Sequence, residues 1–444
     1  MNDNISKIYN SFRKDLFSKL IYFLLASSAL FLLVNKYPYF SIFSILILVF
    51  LGALFLFYKG TVTSVHLSVV GVLLVAYIYF ILGYFVSNQT LSNFFSYSFL
   101  RYDGNFFFCY IPFFALAVPY FDYKKVSQLY FCFIFFTFSL LSLAGIVGIL
   151  TKNYSPIILN DKYDGPMLVG FNNAHNATGS VYALASIFAL VFALKSRKNK
   201  KIYYIIILLL CLAGLVMTQS RGSYIGFIIG AFLVAWLHFR SIRKFIIFTV
   251  IITVASSPLF FLTNLHKRFI QIFDASNFAI GARIELWQKA LYLFKQSPVF
   301  GVGFGRFNDI YFNINNSGYT LIGLDEFVGI PKIFYTYQAP NFDFSAAHAH
   351  NSYLQFMAET GIIGIGLIIF FWVLCFRIIL KAYNYTNNDF SKKLYLSCLG
   401  GIIVLFIMSL TENYFSATTM MMCLSVVTSL SLGLYWQEKY KGNV

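Results

Sequence analysis

Long apolar runs alternate with short polar connections along this chain, a pattern that predicts membrane-spanning helices. Several runs, such as 62–86, 126–150 and 353–376, exceed the roughly 18 apolar residues that mark a span. Twelve spans are predicted, at 20–34, 40–58, 62–86, 105–121, 126–150, 176–194, 202–218, 223–239, 245–263, 353–376, 394–410 and 417–436. The expected fold class is an all-α polytopic membrane protein. The first run follows Arg13, Lys14 and Lys19, and Asn35-Lys-Tyr-Pro38 offers no small-residue cleavage site. It therefore reads as an uncleaved signal anchor.

One connection breaks the rhythm. Residues 264–349 are too long for a link and read as a small lid-like subdomain. The chain thus divides into a bundle of nine spans over 1–263, the large loop 264–349, and spans ten to twelve with a tail over 350–444. Within the loop, 282–296 has Ile284, Trp287, Leu291 and Phe294 on one helical face, with Pro298 after its end, so an amphipathic helix is expected. Gly301-Val-Gly-Phe-Gly305 then predicts a tight turn. A second loop, 151–175, leads through Gly170-Phe-Asn-Asn-Ala to His175 and Asn176 at the start of span six.

Composition agrees: the 444 residues are 59% hydrophobic and 11% charged, against roughly a quarter charged in soluble proteins. The net charge of +17 would suit nucleic acid, but its distribution excludes that reading. Of the 33 basic residues, 21 fall on one side of the predicted spans: four before span one, then Lys59, Lys124, Lys125, the Lys195–Lys201 run, Arg240, Arg243, Lys244, Arg377, Lys381, Lys392, Lys393, Lys439 and Lys441. The short connections on the other side hold only Lys36, Arg101, Lys152, Lys162 and Arg221. This is the positive-inside bias, so both termini are expected in the cytoplasm. The six cysteines stand singly in apolar runs, which points to core packing and not to disulfides or zinc.

Chemistry concentrates where the large loop re-enters the membrane. There His348, His350, Asn351, Gln355 and Glu359 crowd the start of a hydrophobic helix, a costly placement that marks a functional candidate. An imidazole suits a general base at neutral pH, which favours His350. A metal reading of His348-x-His350 lacks support, since no acid or cysteine stands at ligand spacing beyond Asp343 and no DxD pair occurs. Asn351, Gln355 and Glu359 step by four and share one helix face, turned either to a bundle cavity or to water above the bilayer. Two arginines leave alternatives open. Arg221, in Thr218-Gln-Ser-Arg-Gly-Ser223 between spans seven and eight, is either a snorkelling interfacial residue or a phosphate fork. Arg283, opening the amphipathic helix, lies either on a solvated face or over an anionic ligand. His175 reads as a satisfied interfacial histidine. The glycine turn is not GxGxxG and no Walker motif occurs, so nucleotide hydrolysis is excluded.

In order, the chain shows Ser220-Arg-Gly222, then Arg283-x-x-x-Trp287-x-x-Ala290, then Pro298-x-x-Gly301-x-Gly303, then His350-Asn-x-x-Leu354-x-x-x-x-Glu359-x-Gly361-x-x-Gly364. This series resembles the O-antigen ligase family of bacterial polysaccharide enzymes, whose wider group includes O-antigen polymerases and protein O-oligosaccharyltransferases. The match runs from Thr218 to Gly366 with the flanking spans; 308–346 shows no family pattern. The resemblance implies a C-type glycosyltransferase-like fold with a large periplasmic loop, no metal and no cofactor. It implies an undecaprenyl-diphosphate-linked glycan as donor and a lipid A–core sugar as acceptor. Arg221 and Arg283 would hold the donor diphosphate and His350 would act as catalytic base, with His348, Asn351, Gln355, Glu359, Arg306, His175 and Asn176 supporting. The implied location is the bacterial inner membrane, with the site facing the periplasm.

The expected function is therefore that of an O-antigen ligase, inverting and metal-independent. A polymerase using the same donor is the alternative within the group. A twelve-span transporter is the alternative of another class, against which stand the position of the large loop and the lack of similarity between halves.

Overall fold

The computed structural model describes residues 19–20, 23, 64–87, 90–96, 99, 103–117, 122–152, 159–163, 165–170, 174–250, 278–307 and 348–440. The expected spans 20–34 and 40–58, most of 245–263, and the loop interior 308–347 lie outside these residues. The architecture is helical, as expected: α1 (Ser64–Val86), α2 (Leu91–Phe94), α3 (Asn105–Cys109), a 3₁₀ turn (Ile111–Ala117), α4 (Tyr123–Thr151), α5 (His175–Lys195), α6 (Lys198–Met217), α7 (Arg221–Phe239), α8 (Phe278–Gln296), α9 (Ser352–Tyr385), α10 (Asp389–Met408) and α11 (Thr418–Tyr440). Among the described residues, eight of these helices are long and apolar enough to cross a membrane: α1, α4 to α7, and α9 to α11. A short hairpin, Leu159–Tyr163 against Gly165–Leu168, occupies the 151–175 loop, and the Thr178 hydroxyl ties its exit to α5 by donating to the Val169 carbonyl at 2.7 Å.

α5 and α11 form the interior of the bundle and are buried along almost their whole length, whereas α6 and α7 leave broad apolar faces outward. A helix apolar all round but wrapped by others needs no polar stripe, which is why these segments show no amphipathic period. At one end of the bundle the basic residues gather: Lys195 and Arg240 lie over the Tyr383 ring, Arg240 bonds Asn384, and Lys393 donates to the Ser196 hydroxyl. His175, His348 and His350 mark the other end.

Two expected spans take a different form. The segment expected at 105–121 is not one long helix. Cys109 reaches the Thr418 carbonyl at one end of α11, and the Tyr123 ring covers Gly433 near the other. The chain thus travels about four turns along α11, but its described part is a five-residue helix followed by a 3₁₀ turn. Pro112 lacks an N–H and falls at the junction between them. Irregular backbone at membrane depth is tolerated where protein surrounds it, and Phe106, Cys109, Tyr110, Ile111 and Phe113 are all buried.

The second difference is a break inside α9. Gly361 has φ 63° and ψ −169°, so the helix stops and restarts. The freed backbone groups are taken by the turn after α8. Val302 N–H donates to Ala358 O and Gly303 N–H to Glu359 O, both at 3.0 Å; Ile362 N–H donates to Pro298 O at 3.0 Å, and Ile363 N–H to Val299 O at 3.4 Å. The Tyr79 hydroxyl covers Thr360 O at 2.9 Å. The Pro298-x-x-Gly301-x-Gly303 and Glu359-x-Gly361-x-x-Gly364 motifs are therefore two sides of one backbone-to-backbone contact. A Cβ on Gly301 would sit 2.2 Å from the Glu359 carbonyl carbon, and one on Gly361 would sit 2.2 Å from Val299 O. Both also have positive φ, so only glycine fits without strain.

Gly301→Ala and Gly361→Ala should each destabilise the protein, by about 1–3 kcal/mol from the left-handed backbone alone and more from the backbone clash. Thermal melting in detergent should fall for both, while Gly366→Ala, where nothing lies within 4 Å of the added methyl, should melt as the native protein does. Equal melting of all three would remove this contact as a stabilising feature.

Candidate active site

The polar residues at the histidine end converge on Glu412, in the connection between α10 and α11. Its Oε2 lies 2.8 Å from His350 Nδ1 and 3.7 Å from His348 Nε2. Its Oε1 accepts from Asn176 Nδ2 at 2.9 Å and faces an Arg283 guanidinium nitrogen at 3.4 Å. Asn176 in turn accepts from the Ser220 hydroxyl at 3.1 Å, and Ser223 donates to Ser220 at 2.8 Å. Segments widely separated in sequence are thus joined through one carboxylate: the start of α5, the start of α7, α8 and the approach to α9.

Local backbone explains how each arrives. Asn351 caps α9, its side-chain oxygen accepting from Tyr353 N–H and Leu354 N–H, and its amide donates to Leu410 O at 3.2 Å. Ser352 donates to Glu412 O at 2.9 Å and accepts from Tyr414 N–H at 2.7 Å, so the α9 start and the α10–α11 connection are stitched together. The Tyr414 hydroxyl closes on Asn176 O at 3.1 Å. His350 itself has φ 47°, a left-handed conformation uncommon outside glycine. Gly222, one residue past Arg221, lies under Thr411, where a Cβ would meet Thr411 Oγ1 at 2.3 Å. That contact seats the first turn of α7, and with it Arg221, beside the Glu412 connection.

Burial alone would raise the Glu412 carboxyl. The His350 hydrogen bond, with the charges of the histidines and Arg283, outweighs it and holds the group down at about 2. Burial pushes the His348 imidazole down to about 4, only partly offset by Glu412, so His348 is neutral at pH 7. An ionised carboxylate only accepts, so His350 Nδ1 is the donor of this pair. The same logic orients the histidine of hydrolase triads.

His348, His350 and Glu412 also offer three metal-ligand atoms within 4.8 Å of one another, a set the sequence concealed because Glu412 lies far along the chain. The hydrogen bonding does not suit a metal. The His350 N–H donates to His348 Nδ1 at 3.1 Å, which places the remaining His348 proton on Nε2, the nitrogen that would have to ligate.

The other candidates fall elsewhere. Gln355 and Glu359 are fully buried. Gln355 accepts from Ala349 N–H at 2.9 Å and Glu359 from Phe307 N–H at 3.0 Å, so each holds backbone. Arg306 donates to Ser87 O at 2.9 Å and ties the glycine turn to the end of α1. His175 opens α5 and is half-buried. On α8 the deeply buried face is Leu286, Ala290 and Leu293, packed with Phe307, Ala349 and Ala358. The expected face is shifted: Trp287, Leu291 and Phe294 are only half-buried, because a helix on a bundle in lipid can serve apolar neighbours on two sides.

Residues 206–369 match the model of the O-antigen ligase family. This segment, a little over a third of the chain, is similar to the O-antigen ligase family. The matched segment includes Arg221, Arg283 and His350, while Asn176 and Glu412 lie outside it. An uncharacterized protein of Haemophilus influenzae is 25% identical over 245 residues, covering 51% of this chain and 55% of its own length. This chain thus spans about half of that relative.

Glu412 was missed in the sequence, although the rule that singled out Arg221, an ionisable residue at a membrane boundary, applies equally to Thr411-Glu412-Asn413. Glu412→Gln should lower any reaction that uses His350 as base on the order of 10²–10⁴-fold, because an amide facing Nδ1 favours the wrong tautomer. Since the carboxyl is depressed from its ordinary 4.5 to about 2, its stabilising contribution is present above pH 4.5 and lost as pH falls toward 2. Detergent melting curves should show that acid dependence weakened in Glu412→Gln. A native rate and an unchanged acid limb would remove Glu412 from the network.

Proposed function

We propose that this protein is an O-antigen ligase: it moves an O-antigen glycan from undecaprenyl diphosphate to a sugar hydroxyl of lipid A–core, at the periplasmic face of the inner membrane. The observation that carries this reading is the convergence of His350 and Arg283 on Glu412, with Ser220 of the Ser-Arg-Gly triplet linked in through Asn176. In the reaction, His350 Nε2 takes the proton of the acceptor hydroxyl as its oxygen attacks the anomeric carbon. The bond from that carbon to the diphosphate oxygen breaks, configuration inverts, and the lipid diphosphate departs with the electron pair. Arg283 and Arg221 stabilise the charge that develops on the leaving group, so no metal is needed. Ionised Glu412 accepts the His350 Nδ1 hydrogen bond, which leaves Nε2 as the base. The apolar helix faces hold the isoprenoid tail, and the charge bias of the connections supports a periplasmic site.

In a purified assay with lipid-linked donor, His350→Ala should nearly abolish transfer and His348→Ala should weaken it less. Arg221→Lys and Arg283→Lys should each lose most activity despite retained charge, because lysine cannot form the planar fork. Transfer should persist in chelator. Native rates in His350→Ala, or in both lysine variants at normal protein level, would overturn these roles.

A polymerase, which uses the same donor and another lipid-linked unit as acceptor, would share this machinery. A deletion strain separates the two. Loss of a ligase leaves long lipid-linked glycan beside bare core, whereas loss of a polymerase leaves core capped by single repeats. The second phenotype would replace the ligase assignment.

A further inference from the structure

We propose that Asp103 is a positioning residue for His350, acting through Gln355 on the backbone of Ala349; this rests on His350 being the base. Asp103 lies on the turn into α3, far from His350 in sequence, and is 1% exposed. Its Oδ1 accepts from Gln355 Nε2 at 2.8 Å, and Gln355 Oε1 accepts from Ala349 N–H at 2.9 Å. Gln355 and Ala349 are wholly buried, so neither bond has water as an alternative partner.

The chemistry requires an acceptor at position 103. A side-chain amide presents oxygen on one side and NH₂ on the other, and its orientation follows from its partners. The Asp103 Oδ1 accepts, so the Gln355 NH₂ faces Asp103 and the Gln355 oxygen faces Ala349. Reversed, the NH₂ would oppose the Ala349 N–H, donor against donor. Asp103 is fixed in turn, with Phe106 N–H donating to Asp103 O at 3.0 Å and Gly104 N–H to Phe99 O at 2.9 Å.

His350 needs this support because its φ of 47° is costly and persists only where the surroundings over-determine it. On its C-terminal side the Asn351 cap supplies one anchor. On its N-terminal side the Ala349 N–H, gripped by Gln355, supplies the other. Releasing that grip lets His350 relax and swings its ring from Glu412. Arg221 and Arg283 sit on other elements, so donor affinity should stay while the chemical step slows.

Asp103→Leu should lower kcat on the order of 10- to 100-fold, the cost of displacing a reacting group by about an ångström, with KM for lipid-linked donor within about twofold. Asp103→Asn, which keeps an acceptor oxygen, should stay near native. Gln355→Glu should be slow, because two carboxylates then face each other. The double variant Asp103→Asn with Gln355→Glu should regain activity, since Asn donates to Glu and Glu still accepts from Ala349. That rescue keeps the test decisive even if Asp103→Leu fails to fold. The proposal falls if Asp103→Leu turns over at the native rate while His350→Ala is inactive. It falls equally if the double variant is no faster than Gln355→Glu, or if kcat and KM worsen together with a lowered melting temperature. An active His350→Ala would instead overturn the assignment of the base.

Discussion

A carboxylate kept ionised at the rim of a membrane bundle is the constraint on which the site depends. Glu412 has only 12% of its side chain exposed, so water cannot solvate both oxygens. Each oxygen has found its donors in the protein: His350 on one, Asn176 and Arg283 on the other. Removing one partner from such a buried charge typically costs about 3–5 kcal/mol, because the remaining charge is left uncompensated. The elements that supply these donors are therefore held in register by the same interaction that fixes the histidine tautomer. Stability and chemistry share one network here.

The break in α9 has the second role. An uninterrupted helix would leave the turn after α8 with unmet backbone groups against lipid, a state that hydrocarbon penalises by several kcal/mol per group. At Gly361 the two segments exchange backbone hydrogen bonds, and α8 is seated against the first turns of α9. That seating brings Arg283 to Glu412. Glu359 and Lys289 complete the join: the first accepts the Phe307 N–H, and the second donates to the Phe307 carbonyl at 2.6 Å while lying over its ring. Gln355, one turn before Glu359, holds the other flank of the large loop at Ala349.

Much of the fold was legible from apolar runs. Spans expected at 62–86, 126–150, 176–194, 202–218, 223–239, 353–376, 394–410 and 417–436 each correspond to a long helix, with edges moved by a few residues and α9 extended to Tyr385. Hydropathy could not distinguish a helix from the compact descent at 105–117, since both are apolar and both are buried. The stripe of Asn351, Gln355 and Glu359 was visible as a stripe, but its role was not. Whether such groups face substrate, water or backbone depends on what packs opposite, and the opposing groups are Asp103, Ala349 and Phe307.

The sequence by itself determined which apolar runs become long helices, apart from the segment at 105–117. It also marked the histidine segment as the place where polar groups gather, because hydrophobic period and the cost of charge in lipid are local properties of a chain. It determined the glycines as well, since a backbone that must approach another backbone excludes a Cβ. The tertiary structure alone decided which groups act together. Glu412 stands 62 residues from His350, Asn176 stands 236 from Glu412, and Asp103 stands 252 from Gln355. Hydrogen bonds and ion pairs act over a few ångströms of space, so no periodicity in the chain records partners at such separations.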